Sequence, residues 1–312
     1  MSTSDIAGVN GEAMPGVLEP SVQRRRLRTE LRKARDTAGL KQADVAKAMD
    51  WSPSKLIRIE NGAVSISTND LRALLEHYKV KDRGRVGSLL EMAKSARAGS
   101  FYDAYSDVVG PGFRDYLALE SAASVIRQWD PLLISGLLQT EEYALAVLSD
   151  VYRLNEEQAR RAWAVREHRQ EVHDREDPPE IRLVLDENAL RRQVRPGTNL
   201  MRRQIERVIE FAALDHVTIL LLPNAAGAHP GMAGNFYLLE FSETDLEDLV
   251  GVEAVSDFEI KSDLGVLANY VDLFQSLEDR SLSPEDSVVF MEKLLGEQPH
   301  AETAPAPEAV AG

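Results

Sequence analysis

The stretch LKQADVAKAMDWSPSKLIRIENG, Leu40 to Gly62, decides the first half of the fold. Val45, Ala46 and Met49 recur at helical spacing and predict one short helix, and Leu56 with Ile59 predicts a second. Between them Ser52 can cap the second helix, and Pro53 occupies the first helical position, where a missing N–H costs nothing. Asn61-Gly62 is a helix stop. Two short helices joined by a tight turn, with the small Ala46 permitting a close crossing, form a helix-turn-helix. The second helix then carries Pro53, Ser54, Lys55 and Arg58 on its outward face.

Upstream, Arg24, Arg25, Arg26 and Arg28 open a preceding helix whose Leu27, Leu31 and Ala34 face inward. Downstream come an irregular link, a helix capped by Thr68 with Leu71, Leu74 and Leu75 inward, and another from about Arg83 to Ala96. From Leu27 to Val80 the pattern resembles the xenobiotic-response-element (XRE) regulators, most closely at RIENG, Arg58 to Gly62. That resemblance implies a five-helix, lambda-repressor-like domain that binds double-stranded DNA. The expected DNA-facing residues are Lys41, Gln42, Ser52, Pro53, Ser54, Lys55, Arg58 and Asn61, and the resemblance implies roles by position for Gln42, Ser54, Arg58 and Asn61. Gln42 and Asn61 go to phosphates, Ser54 and Arg58 to base edges, and Pro53 shares the face without offering a donor. The resemblance also pairs Arg35 with Glu60 in a structural ion pair. The sequence departs from the family at three places: Lys41 replaces the usual Ser or Thr cap, Asp50 replaces a Gly at a turn position expected to need positive φ, and the large Trp51 fills an apolar slot.

Charge divides the chain in the same place. The net charge of −15 hides a basic segment: residues 22–83 hold 15 Lys/Arg against 8 Asp/Glu, whereas residues 84–312 hold 21 against 40. A basic helix-turn-helix beside an acidic segment is the asymmetry expected when one domain touches DNA. There are no cysteines, which removes thiol chemistry and thiolate metal sites. No apolar run reaches membrane-spanning length and no signal sequence opens the chain, so the cytoplasm is the expected compartment.

The expected fold class is α+β overall, an all-α DNA-binding domain followed by a mixed α/β domain with a small sheet. Residues 1–21 and 297–312 lack periodicity and read as disordered tails; 22–98 form the DNA-binding domain, 99–112 a linker, and 113–296 the second domain. Within the latter a helix is expected from Phe113 through Arg127, then an extended or turning segment from Asp130 to Leu138 and a helix started by Thr140. A charged helix follows from Asn155 to about His173. Ile181 to Glu187 predicts a strand, Asn188 to Gln193 a short helix, and Leu200 to Leu214 a longer one. The apolar run Val217 to Pro223 suits a central strand. Asn235 to Phe241 and Leu249 to Val255 are further strands, and two helices, from Asp263 and from Ser283-Pro284, close the fold.

Gly136-Leu137-Leu138-Gln139-Thr140 with Tyr143-Ala144, Asp186 to Arg192, Gln204, Val217 to Pro223, Gly227-Ala228-His229 and Gly234-Asn235-Phe236 resemble the uncharacterised C-terminal domain of actinobacterial XRE-type regulators. These are antitoxin-like regulators, and the resemblance implies a small partner protein encoded nearby. Leu132, Leu133, Leu137, Leu138 and Tyr143 are the expected partner-binding surface, because their segment has neither helical nor strand periodicity and cannot easily bury every side chain on one side. One helix in a major groove contacts few base pairs, so a homodimer is expected.

No catalytic constellation emerges, and no cofactor or metal is implied. His168 and His173 are five apart and diverge around a helix. The carboxylates Glu243, Asp245, Glu247 and Asp248 read as a solvated turn, and Asp186 as a helix cap. A second function class remains open, a DNA-tethered ligand-binding or enzymatic domain that uses the Gly-rich loop from Gly227 to Asn235 around His229.

Overall fold

Helix α1, Pro20–Thr37, begins ahead of the arginine run, inside the segment expected to be tail, because Pro20 stands at its first position where a fixed φ suits a helix. In this computed structural model, residues 19–62, 64–242, 246–253 and 257–297 are described. The chain divides after Ala104 into two units.

The first unit continues with α2 (Gln42–Ala48), α3 (Pro53–Glu60), α4 (Thr68–His77) and α5 (Arg83–Ser95). Ser52 caps α3 by accepting from the Lys55 N–H, and Pro53 follows it. Asp50 holds φ at 52°, the conformation its turn demands, and Lys41 precedes α2 with no side-chain cap bond. The cap of α4 is Ser67 rather than Thr68, since only Ser67 lies three residues before the Asp70 N–H that it accepts from. Leu27, Leu31, Val45, Leu56, Leu71 and Leu74 meet in one core. Under its edge lies the Glu60 carboxylate, fully buried, which accepts from Arg35 Nε at 2.7 Å, Arg35 Nη2 at 3.2 Å and Gln42 Nε2 at 2.7 Å. Arg35 also donates to the Leu40 carbonyl at 3.0 Å, so one guanidinium ties α1, the turn before α2, and α3.

Residues 99–112 are more structured than a linker. Phe101–Tyr105 form a 3-10 turn, and helix α6, Pro111–Glu120, starts within this stretch on a proline. The helix expected to run to Arg127 stops at Glu120: Ser121 bonds back to the Ala118 carbonyl, and Ser124 N–H already donates to Glu240. Val125–Asp130 is strand β1, as its β-branched and aromatic residues favour. It is followed by α7 (Glu141–Asp150), α8 (Glu156–Gln170), β2 (Glu180–Asp186), α9 (Glu187–Arg191), α10 (Leu200–Ala212), β3 (Val217–Leu222), β4 (Phe236–Glu240), β5 (Leu249–Glu253), β6 (Phe258–Lys261), α11 (Leu264–Glu278) and α12 (Pro284–Glu297). Strand β6 had no counterpart in the sequence reading.

The six strands form one mixed sheet in the order β3-β2-β1-β4-β5-β6. β1, β2 and β3 are parallel, with Trp129 opposite Val184, and β4 turns antiparallel beside β1, with Phe236 opposite Trp129. The apolar run of β3, expected to be central, is instead an edge strand. Its edge is occupied: Leu221 N–H donates to Ser287 Oγ and Leu221 C=O accepts from Leu282 N–H, both at 2.9 Å. Helix α12 therefore gives an edge strand the burial of a central one.

In the second unit a glutamate repeats the arrangement of Glu60. Glu120, at the end of α6, accepts from Arg169 Nε and Nη2 on α8 at 2.8 and 2.9 Å, from Tyr116 OH at 2.9 Å and from Gln128 Nε2 at 3.2 Å. Gly136 is required beside this pair, because a Cβ there would meet Arg169 Nη1 at 2.8 Å.

Removing one partner of a buried ion pair leaves the other charge without compensation. Glu60→Ala is expected to destabilise the first unit by about 3 kcal/mol, measured as a lowered midpoint in chemical denaturation followed by circular dichroism. A loss below about 1 kcal/mol would mean that the pair is not the clamp of α1 to α3.

Candidate nucleic-acid interface and C-terminal cavity

Helix α3 buries Leu56, Ile59 and Glu60 and leaves Pro53, Ser54, Ile57 and Arg58 exposed. Arg58 makes no side-chain hydrogen bond or ion pair among the described residues, so its guanidinium is free to meet a ligand. Ser54 Oγ lies 3.1 Å from Ser52 Oγ. Lys55 is more constrained, since its Nζ sits 3.3 Å from Asp70 and 4.0 Å above the Trp51 ring. Asn61 Oδ1 accepts from Arg32 Nη2 at 2.7 Å, which leaves its amide N–H groups to donate outward. Gln42, expected at a phosphate, gives one amide hydrogen to Glu60. Lys41 is exposed beside it. Of the arginine run, Arg24 is exposed and Arg25 is buried.

The second unit carries a half-open cavity of about 1290 Å³. Its walls come from the start of α6, the segment after β1, the ends of α7 and α8, and the loop Gly227 to Asn235. That loop is pinned, since Trp129 Nε1 donates to the Gly231 carbonyl at 2.9 Å, and a Cβ on Gly231 would meet Leu277 at 2.8 Å. His229 packs edge-on against Trp129 and lies 4.0 Å from Asp186, whose carboxylate caps α9. At the sheet side of the cavity Tyr237 OH donates to Asp130 at 3.0 Å, and Asn235 Nδ2 donates to Glu253 at 2.9 Å.

The expected partner surface does not form as drawn. Leu137, Leu138 and Tyr143 are buried, with Leu133 half-buried and only Leu132 of the five exposed, at the cavity. The irregular segment is packed from several sides, and glutamines take up its main-chain groups. Gln204 donates to Leu138 C=O and accepts from Thr140 N–H, Gln139 donates to Ile134 C=O, and Gln170 reaches the carbonyls of Gly136 and Gln139. A segment without periodicity can thus be core on more than one face.

Two families match. A helix-turn-helix domain matches residues 26–86, and a domain of unknown function, DUF5753, matches residues 113–293, more than half of the chain. The chain belongs to the DUF5753 family. The first match supports a DNA-binding domain at α2 and α3 and points to a regulator. No curated protein and no solved structure matches.

The DUF5753 region holds no group of three or more metal-ligating side chains among its described residues, and Glu243 and Asp245 lie outside them. His168 pairs with Glu171 at 3.0 Å, while His173 turns to His216 and the Leu137 carbonyl, both at 3.2 Å. No helix of the described residues is long and apolar enough to cross a membrane. Sequence reasoning missed Asp130, Arg166, Tyr237 and Glu253, four cavity residues. They come from β1, α8, β4 and β5, and no local pattern links such distant positions.

Burial pushes the Asp130 carboxyl up to about 7, with the Glu253 charge adding to it and the Tyr237 hydrogen bond opposing. A carboxyl raised in the folded state binds its proton more tightly there than in the unfolded chain. Its stabilisation is complete below the ordinary value and is lost as pH rises toward 7. His173 acts in the opposite sense, because burial depresses its imidazole to about 4 and stability falls as pH drops toward that value. Comparing Asp130→Asn with wild type isolates the first effect. The difference in Tm should move in the variant's favour by several degrees between about pH 4 and pH 8, read by calorimetry. A constant difference would place Asp130 in contact with bulk water.

Proposed function

We propose that this chain is a sequence-specific transcriptional regulator of the XRE type, reading double-stranded DNA with the outer face of α3. The observation that carries the reading is the free Arg58 on a helix whose opposite face is locked by Leu56, Ile59 and Glu60. A recognition helix must hold its register while keeping donors open, and Arg is the side chain best matched to the guanine edge. Ser54 lies one turn earlier on the same face. Asn61, oriented by Arg32, and Lys41 and Gln42 at the start of α2 are placed to position the phosphate backbone. Gln42 keeps one amide hydrogen for this after serving Glu60. Lys55 must leave Asp70 to contribute. The acidic second unit, with 18 Lys/Arg against 38 Asp/Glu over residues 105–312, is repelled from DNA and receives the signal.

The regulator acts as a homodimer on an inverted repeat, since two recognition helices about 34 Å apart supply the base pairs that one cannot. A small protein encoded nearby remains the partner implied by resemblance, but Leu137, Leu138 and Tyr143 do not form its docking surface.

Arg58→Ala should weaken operator binding by about 1–3 kcal/mol and flatten preference at one base position. Fluorescence anisotropy against an operator from a genome-wide footprint and its single-base variants measures this. Unchanged discrimination would overturn the register of α3. Sedimentation of the saturated complex should give two chains per inverted repeat, and one chain would remove the dimer.

A further inference from the structure

The cavity of the second unit is larger than the roughly 300–1,000 Å³ usual for small-molecule sites, and its lining is divided by chemistry. Among the described residues, four of the eight exposed large hydrophobic side chains, Leu132, Val151, Tyr152 and Met232, line this one cavity. Scattered apolar residues on a surface need no explanation, whereas such a concentration marks a site that is covered when occupied.

The charged groups around it are not equivalent. Asp130 and Glu253 already accept hydrogen bonds from Tyr237 and Asn235. Arg169 is held by Glu120 in a two-point bond. One turn earlier on α8, Arg166 lines the cavity with no ion pair among the described residues, and its only hydrogen bond is a long one, 3.4 Å, from Nη1 to the Ala162 carbonyl of its own helix. Burial lowers its guanidinium pKa to about 10, an effect that the neighbouring Arg169 charge adds to and the Glu253 charge only partly offsets. A planar fork of donors beside the apolar part of the lining is matched by an oxyanion. A cationic ligand would have to compete with Asn235 and Tyr237 for carboxylates already engaged, while leaving Arg166 unmet.

We propose that this cavity is a receptor site for an apolar small molecule bearing one oxyanion, with the anionic group held by Arg166 and the hydrocarbon part lying along Leu132, Val151 and Tyr152. The site belongs to the second unit alone, so it stands whether or not α3 reads DNA. It also differs from a cradle of main-chain N–H groups in the Gly227 to Asn235 loop, which here forms one wall.

The test uses the full chain and two fluorescent probes with the same aromatic frame, anilinonaphthalene sulfonate and the uncharged phenylnaphthylamine. Both should bind saturably at one site. Arg166→Gln should weaken the sulfonate about tenfold or more and the neutral probe by less than about threefold, with Arg166→Lys intermediate. Circular dichroism checks each variant's fold. Should Arg166→Gln fail to fold, Leu132→Asp replaces it at an exposed position, and there the sulfonate should lose more affinity than the neutral probe. Absence of saturable binding, equal losses for the two probes, or no loss in Arg166→Gln would each overturn the proposal.

Discussion

A carboxylate taken out of water must have its oxygens met in full, and each unit of this protein is arranged around one that is. Glu60 and Glu120 are both buried, both grip an arginine through two nitrogens, and both add a glutamine amide. Such pairs contribute little net stability over a well-packed apolar substitute, but they fix geometry, because a carboxylate displaced from its fork becomes an isolated charge. In the first unit the fixed quantity is the placement of α3 against α1 and α2. In the second it is the rotation of α8 relative to α6 and β1.

That rotation bears on the cavity. With Arg169 turned to Glu120, helical spacing carries Arg166 to a neighbouring position on the same side of α8, one turn away, where it forms no ion pair among the described residues. The two arginines differ in surroundings rather than in kind: one closes the core and the other faces a chamber. The same division of labour occurs at α3, where the inward Glu60 anchors the helix and Arg58, two residues earlier, remains open.

Buried main-chain groups are handled with equal economy of means. The irregular segment after β1 has no ladder partner, and Gln139, Gln170 and Gln204 stand in for one. Strand β3 has a free edge, and Ser287 with the turn before α12 closes it. Both devices let hydrophobic sequence be buried where regular pairing does not reach.

The helix-turn-helix was legible in the chain: the cap at Ser52, the proline after it, the strained turn at Asp50 and the apolar spacing of α2 and α3 are local signals, and local physics places them correctly. The same sequence also carried the Arg35–Glu60 pair, by resemblance, and most elements of the second unit. Long-range pairing settled that Val125–Asp130 is a strand, since Ile126 and Trp129 fit helical and extended patterns alike and β2 and β4 resolve the ambiguity. Tertiary structure decided that β3 lies at an edge, because burial of a strand depends on what covers it and not on its own composition. It decided that Leu137, Leu138 and Tyr143 are core, through partners that lie 64 and 66 residues away on Gln204 for this segment. The cavity is the extreme case: Asp130, Arg166, Tyr237 and Glu253 have no mutual spacing in the chain, and the tertiary fold alone brings β1, α8, β4 and β5 to the same cavity.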